Sequence, residues 1–223
     1  MSRARDLANL GDGIDTSSIT SGTFADARIA QSNVTQHESA IDALGTVASG
    51  TFNGTIGSSA TGFIGVKIAD QWRLTTAFSG TANPITNTSS NKLERVDSAG
   101  QGTIGSAMTV DTGGIFTFPM TGIYLVSGML GVSNNSESDY ISLVINAVIS
   151  GSVTRHTNIY TSIPGPTGTT YANVSNSTLF DCPDVSTHKV SFGVNEDQHG
   201  GSNFSGSSTT NNCFFTFIRL GDT

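Results

Sequence analysis

The pattern of apolar and polar positions changes character once along this 223-residue chain. From about Phe63 onward, β-branched and aromatic runs recur with Gly, Pro, Asn and Ser clusters between them. The runs are Trp72 to Phe78, Ile115 to Pro119, Ile123 to Val132, Tyr140 to Ile149, Tyr171 to Phe180, Lys189 to Asn195 and Cys213 to Leu220. Each predicts a strand. No helical pattern separates them, so an all-β sandwich is expected rather than a parallel α/β sheet. Long loops are expected around Asn83 to Asn91, Pro164 to Thr170 and His199 to Asn212.

Several of these runs are apolar on both faces. In Cys213-Phe214-Phe215-Thr216-Phe217-Ile218, residues 213, 215 and 217 point one way and 214, 216 and 218 the other. One face fills the sandwich and the second needs another cover. Ile123 to Val126 and Ile141 to Ile149 make the same demand, which a subunit interface meets economically. Phe214 and Phe217 are read as trimerisation residues.

Before Phe63 the chain is rich in Gly, Ser, Thr and Ala, and its only aromatic residues are Phe24 and Phe52. Ser21-Gly22-Thr23-Phe24 recurs as Ser49-Gly50-Thr51-Phe52, each copy followed by an Ile (Ile29, Ile56). A Phe on a Gly-rich extended chain has to be buried against something, and another copy of the chain is the available partner. Between the copies, Asn33 serves as an N-cap, Val34, His37, Ile41 and Leu44 follow at i, i+3, i+7 and i+10, and Gly45 ends the run. This predicts a helix over about 33–44 with an a/d seam of barely two heptads. A helix that short is marginal alone, so the seam is read as a trimerisation element with His37 as a polar layer fixing register. An amphipathic helix lying on its own domain and a strand-rich stalk are the open alternatives. The expected organisation is an attachment segment at 1–15, a stalk at 16–62 and a strand-rich knob at 63–223.

Composition narrows the function. Charged residues are 12% of the chain, against about 25% in ordinary soluble domains. Ser, Thr and Asn number 30, 30 and 16, so hydroxyls and amides dress the surface. Hydrophobic residues at 36%, including 12 Phe, suffice for one real core. Ten Lys and Arg against 17 Asp and Glu give a net charge of −7, which excludes a binder of nucleic-acid backbones that needs a basic stripe. The N-terminus lacks the apolar region of a signal peptide, and the longest apolar stretch, Ile141 to Ile149, is about half a membrane span. The chain is expected to stay soluble in a cytosol without membrane insertion. Its Asn-x-Ser/Thr triplets are then not glycosylation signals. Cys182 and Cys213 have no zinc or redox spacing; two buried free thiols are the plainer reading, a disulfide the other.

No catalytic set is legible. His37, His156, His188 and His199 have no paired metal-ligand spacing, there is no G-x-S-x-G elbow, and no Gly-rich stretch carries the Lys of a P-loop. No enzyme activity, metal or cofactor is expected. The close acidic pairs Glu137/Asp139 and Glu196/Asp197 lie in Ser/Asn/Gly-rich loops and read as solvated turns, with calcium as the next reading. What remains is binding. Asn134, Asn135, Ser136, Asn195, Gln198 and His199 offer uncharged loop groups that hydrogen-bond sugar hydroxyls, so a host-surface glycan is a candidate ligand. Trp72, the sole Trp, is read as core or interface.

The stretch Gly113-Gly114-Ile115-Phe116-Thr117-Phe118-Pro119-Met120-Thr121-Gly122-Ile123-Tyr124-Leu125-Val126-Ser127 resembles the G-x-F-x-x-P-x-x-G-x-Y segment of the complement-type globular head, the trimeric jelly roll shared with tumour necrosis factor. Ile141 to Asn146, Val190 to Val194 and Phe214 to Gly221 follow in the order of that family's later strands. The turn Pro183-Asp184-Val185-Ser186-Thr187 stands where the family has Gly-Asp. The N-terminus is similar to bacteriophage tail-fibre and virion-decorating proteins, through Met1 to Leu10 and through Ile19-Thr20-Ser21-Gly22-Thr23-Phe24-Ala25-Asp26-Ala27-Arg28-Ile29, which looks like their shaft unit. These resemblances imply a homotrimeric virion protein assembled in the host cytoplasm. Arg3, Arg5, Leu7 and Leu10 would dock on another virion protein, and a jelly-roll knob would meet the host surface. A capsid decoration protein that cements the shell is the alternative, distinguished by docking on capsid rather than tail or baseplate. A secreted ligand of the tumour necrosis factor type is a third reading, disfavoured by the expected lack of a signal peptide.

Overall fold

The computed structural model describes residues 65–89, 92–164, 168–196 and 201–223, all within the second of the two units into which the chain divides, Ser59–Thr223. The expected attachment segment at 1–15, the stalk at 16–62 and the helix at 33–44 lie outside the described residues. Among the described residues there are twelve strands and no helix. They are β1 (Ala69–Leu74), β2 (Phe78–Ser79), β3 (Leu93–Arg95), β4 (Thr109–Val110), β5 (Ile115–Thr117), β6 (Gly122–Asn134), β7 (Ser138–Ile149), β8 (Ser152–Ile163), β9 (Thr170–Cys182), β10 (His188–Glu196), β11 (Asn203–Phe204) and β12 (Cys213–Gly221).

Two antiparallel sheets result. A seven-stranded sheet runs β2-β11-β6-β12-β1-β3, with β9 paired along the whole of β6. A five-stranded sheet runs β4-β5-β10-β7-β8. The chain crosses between the sheets at β3–β4, β5–β6, β6–β7, β8–β9, β9–β10 and β10–β11, as the two packed sheets of a jelly roll require.

The core between the sheets is aromatic. Phe116, Phe118, Phe192, Phe215 and Phe217 are almost wholly buried, with ring centroids 4.3 Å apart for Phe192 and Phe215 and 5.0 Å for Phe116 and Phe217. Trp72 meets Phe116 edge to face at 5.5 Å, and its indole N–H donates to the buried carboxylate of Asp70 at 3.0 Å, so Trp72 is a core residue. Gly128 provides the room for this cluster. A Cβ there would lie 3.1 Å from Phe215, 3.2 Å from Leu143 and 3.3 Å from Phe192.

The Gly114 to Tyr124 segment has a physical explanation. It leaves the five-stranded sheet at β5 and enters the seven-stranded sheet at β6, so its aromatic residues pack between the two. Phe118 lies 4.4 Å from Tyr124 and stacks on Phe180 at 5.3 Å, while Tyr124 donates its hydroxyl proton to the Met120 carbonyl at 2.8 Å and so fixes the connecting turn. Gly114 has φ +78°, and a Cβ would stand 1.9 Å from the Ile85 carbonyl oxygen, so both the conformation and the space demand glycine.

The structure alters two expectations. The Ile141 to Ile149 run does bury both faces, but its own chain supplies much of the second cover. Ile141, Leu143, Ile145 and Ala147 enter the core, while Val144, Asn146 and Val148 on the opposite face are buried as well. The Asn83 amide oxygen accepts from Asn146 Nδ2 at 2.7 Å and lies where a Cβ on Gly193 would be, only 2.1 Å from it. Backbone bonds of the same segment to β10, Ala82 to Val194 at 3.0 Å and Ile85 to Phe192 at 2.7 Å, hold it in place. The second difference is β8, a full-length strand where none was expected. Its residues are mostly exposed and rich in Ser and Thr, as suits the edge of a sheet, and the apolar alternation that marks a strand in sequence is therefore missing.

Candidate functional site

The residues read from sequence as functional separate into different environments. Phe214 and Phe217 do not share a role. β12 alternates, so Phe217 is fully buried in the core and Phe214 is half-buried on the opposite face. Phe217 is thereby corrected from an interface residue to a core residue. Asn134 is also corrected: it is buried, donates to Ser202 Oγ at 3.1 Å and accepts from the Ser136 backbone N–H at 3.0 Å, so it shapes the β6–β7 turn instead of meeting a ligand. Asn135 is exposed beside it, and Asn195 is half-buried on β10. Gln198, His199 and Asp197 lie outside the described residues, as do Arg3, Arg5, Leu7, Leu10, Val34, His37, Ile41 and Leu44.

The outward face of the seven-stranded sheet is ordered into rows by strand register. Ala69, Ile218, Leu125 and Leu179 lie side by side across β1, β12, β6 and β9. The next outward row is polar: Gln71, Thr216, Ser127 and Ser177, with Gln71 Nε2 donating to Thr216 Oγ1 at 2.8 Å. The following row places Phe214 beside Met129. Leu179 is 60% exposed on this face, and Leu220 farther along β12 is 53% exposed. The row ends at Arg73, whose guanidinium is buried and bonded to Glu94 at 2.7 Å, Asp97 at 2.6 Å and Ser98 at 2.7 Å. The result is one apolar row and one apolar pair, Phe214 and Met129, on either side of a hydroxyl and amide row, with a charge cluster at one margin.

A second feature lies on the outward face of the five-stranded sheet. A cleft of about 470 Å³ is lined by Thr81, Tyr140, Ser142, Arg155, Asn158, Tyr160, Asn195 and Glu196. Register explains its position: Ser142 pairs with Tyr160 on β8 and with Asn195 on β10, so three neighbouring strands present these residues together. Tyr140 and Tyr160 meet at 5.9 Å and 81°, forming an aromatic corner. Asn158 Nδ2 donates to the Tyr160 hydroxyl at 2.6 Å, and the Glu196 backbone N–H donates to Thr81 Oγ1 at 3.2 Å. Of the residues lining this cleft, only Asn195 was singled out from sequence as a contact residue. Tyr160, Asn158 and Arg155 were missed with β8. The Asn158/Tyr160 spacing of two is the signal that, given a strand, would have put them on one face.

The titratable groups with displaced pKa values are structural. Burial pushes the thiols of Cys182 and Cys213 from 9.0 up to about 11, and both are free and buried. Burial likewise raises Tyr124 from 10.0 to about 12. Hydrogen bonds from the Ser186 side chain and backbone, at 2.7 and 2.8 Å, hold Asp184 below the usual carboxylate range in the Pro183 to Thr187 turn. The hydrogen bond and charge of Arg219 do the same for Asp222. Among the described residues, no three His, Cys, Asp or Glu side chains gather into a group that could hold a metal ion.

No protein-family model and no curated protein matches the sequence. Solved structures do match the fold. The Eiger tumour necrosis factor of S. frugiperda is similar at a TM-score of 0.52 and 12% identity, over 71% of this chain and 95% of that one. Murine APRIL at pH 8.5 gives a TM-score of 0.48 and 13% identity, over 69% of this chain and 98% of its own. The described head is a tumour-necrosis-factor-like jelly roll, a likeness that extends to fold alone.

Proposed function

We propose that this chain is a short homotrimeric bacteriophage fibre, joined to the virion through its N-terminus and presenting its jelly-roll head to the host surface. The observation that carries the association is the outward face of the seven-stranded sheet. Isolated soluble domains seldom expose apolar groups ordered in this way, and Leu, Ile, Phe and Met on either side of a hydroxyl and amide row suit contact with identical copies. The fibre-like N-terminal residues Met1 to Leu10 and Ile19 to Ile29 support the virion role. The absence of a catalytic motif in the sequence favours binding over catalysis.

A cryo-electron-microscopy map of the intact particle carrying the chain tests this reading. Three-fold density at the tail or baseplate with the head outward is the expected result. Trimers clamped on the capsid lattice would replace host attachment by shell decoration. Absence from the particle would remove the virion role.

A further inference from the structure

We infer that the cleft between β7, β8 and β10 is a binding site for the ring of a neutral carbohydrate. This inference rests on the host-attachment reading for where such a sugar is met, and it adds the residues and the ligand class. The decisive observation is a mismatch inside the cleft lining. Asn158 Oδ1 and Glu196 Oε2 are buried and have no hydrogen-bond partner among the described residues, and Glu196 as a whole is only 9% exposed. An unmatched buried acceptor costs about 1–3 kcal/mol, more when charged, so two at one cleft call for a ligand that donates.

The rest of the lining narrows the donor. Tyr140 and Tyr160 stay 39% and 58% exposed, although their rings already touch each other. Such a corner offers one ring face and one ring edge to a ligand whose surface is partly C–H. The hydrogen bond from Asn158 Nδ2 to the Tyr160 hydroxyl orients the amide and leaves its oxygen as the acceptor. Arg155 adds a cation to the lining and opposes a cationic ligand, while the Glu196 carboxylate opposes an anionic one. A neutral ring bearing several hydroxyls meets all these conditions: its O–H groups donate to Asn158 and Glu196, its oxygens accept from Arg155, and its C–H face covers the tyrosines. The volume of about 470 Å³ falls within the roughly 300–1,000 Å³ of small-molecule sites.

The test uses the full-length protein with glucose, galactose, mannose and N-acetylglucosamine as separate probes, read by saturation-transfer NMR and titration of amide shifts. At least one sugar is expected to bind, with transfer from the tyrosine rings and shifts confined to β7, β8 and β10. Tyr160→Ala and Glu196→Gln are each expected to weaken binding at least about tenfold, which is 1.4 kcal/mol, whereas Val153→Ala on the exposed part of β8 leaves it unchanged. Circular dichroism melts verify that the variants fold. No binding of any probe by folded protein, or binding that Tyr160→Ala and Glu196→Gln leave intact, overturns the assignment. The particle map is independent of these titrations, so a protein that binds sugar but is absent from virions keeps the cleft and loses the attachment reading.

Discussion

Phe214 and Phe217 are three residues apart on β12, and their substitution separates folding from association. Phe217 is fully buried, with rings at 5.0 Å (Phe116), 5.9 Å (Phe192) and 6.3 Å (Phe118). Phe217→Ala removes a large buried side chain and opens a cavity that these rings fill only in part, at a cost of about 3–5 kcal/mol. For a domain of this size each kcal/mol lowers Tm by roughly 2–4 °C. Phe214, half-buried on the outward face, loses about 1 kcal/mol within its own chain, because only part of its apolar area is covered there. Its larger effect is expected on association. The assay is urea unfolding followed by the fluorescence of Trp72, the single Trp, which sits against Phe116 in the same core. It is run at several protein concentrations alongside sedimentation equilibrium. The wild-type and Phe217→Ala midpoints should rise together with concentration, their difference staying the same, whereas the Phe214→Ala midpoint should stop moving once its trimers have dissociated. Equal, concentration-independent losses for the two variants, with unchanged mass in the centrifuge, would refute both the burial reasoning and the association face.

Gly128→Ala is expected to destabilise by about 1–3 kcal/mol through overpacking against Phe215, Leu143 and Phe192; an unchanged urea midpoint would contradict the fit described for this core. Arg73→Ala should cost about 2 kcal/mol, because it strips charge-assisted bonds from Glu94 and Ser98, and Arg73→Lys should recover only part of it, as thermal melts would show. Cys182 and Cys213 should resist alkylation in the folded protein at pH 8 and label rapidly in urea, since both thiols are buried with pKa values raised to about 11; fast labelling without urea would refute this. These thiols and Tyr124 are raised in the folded state, so the unfolded chain loses its protons first. Their stability contribution is therefore whole below about pH 9 and is lost as pH rises through about 11 to 12, which urea midpoints between pH 7 and 12 would detect.

Much of the head was readable because burial leaves a mark in sequence. Seven of the strands carry apolar runs, and the Gly114 to Tyr124 segment announced the jelly roll through residues that the fold uses physically: Gly114 for its positive φ, Phe116 and Phe118 for the core, and Tyr124 for the turn bond. The binding surface was less readable. β8 is an edge strand with little to bury, so nothing in its composition set it apart from a loop, and Tyr160 and Asn158 disappeared with it. Asn134 shows the opposite error, a polar loop residue taken for a contact when its amide is spent on Ser202 and Ser136.

The sequence by itself determined the class of the molecule: a polar, weakly acidic chain with alternating apolar strands and an aromatic core. Those properties depend on local periodicity and on the count of apolar groups, both of which are present in the linear chain. Only the tertiary structure decided which face of each strand a residue occupies, that Phe217 belongs to the core while Phe214 looks outward, and that Asn83 covers Asn146 and Gly193. The same holds for the meeting of Tyr140, Asn158 and Glu196 at one cleft. Those outcomes depend on register and on contacts between residues far apart in the chain, where a shift of one residue would send every side chain to the opposite face.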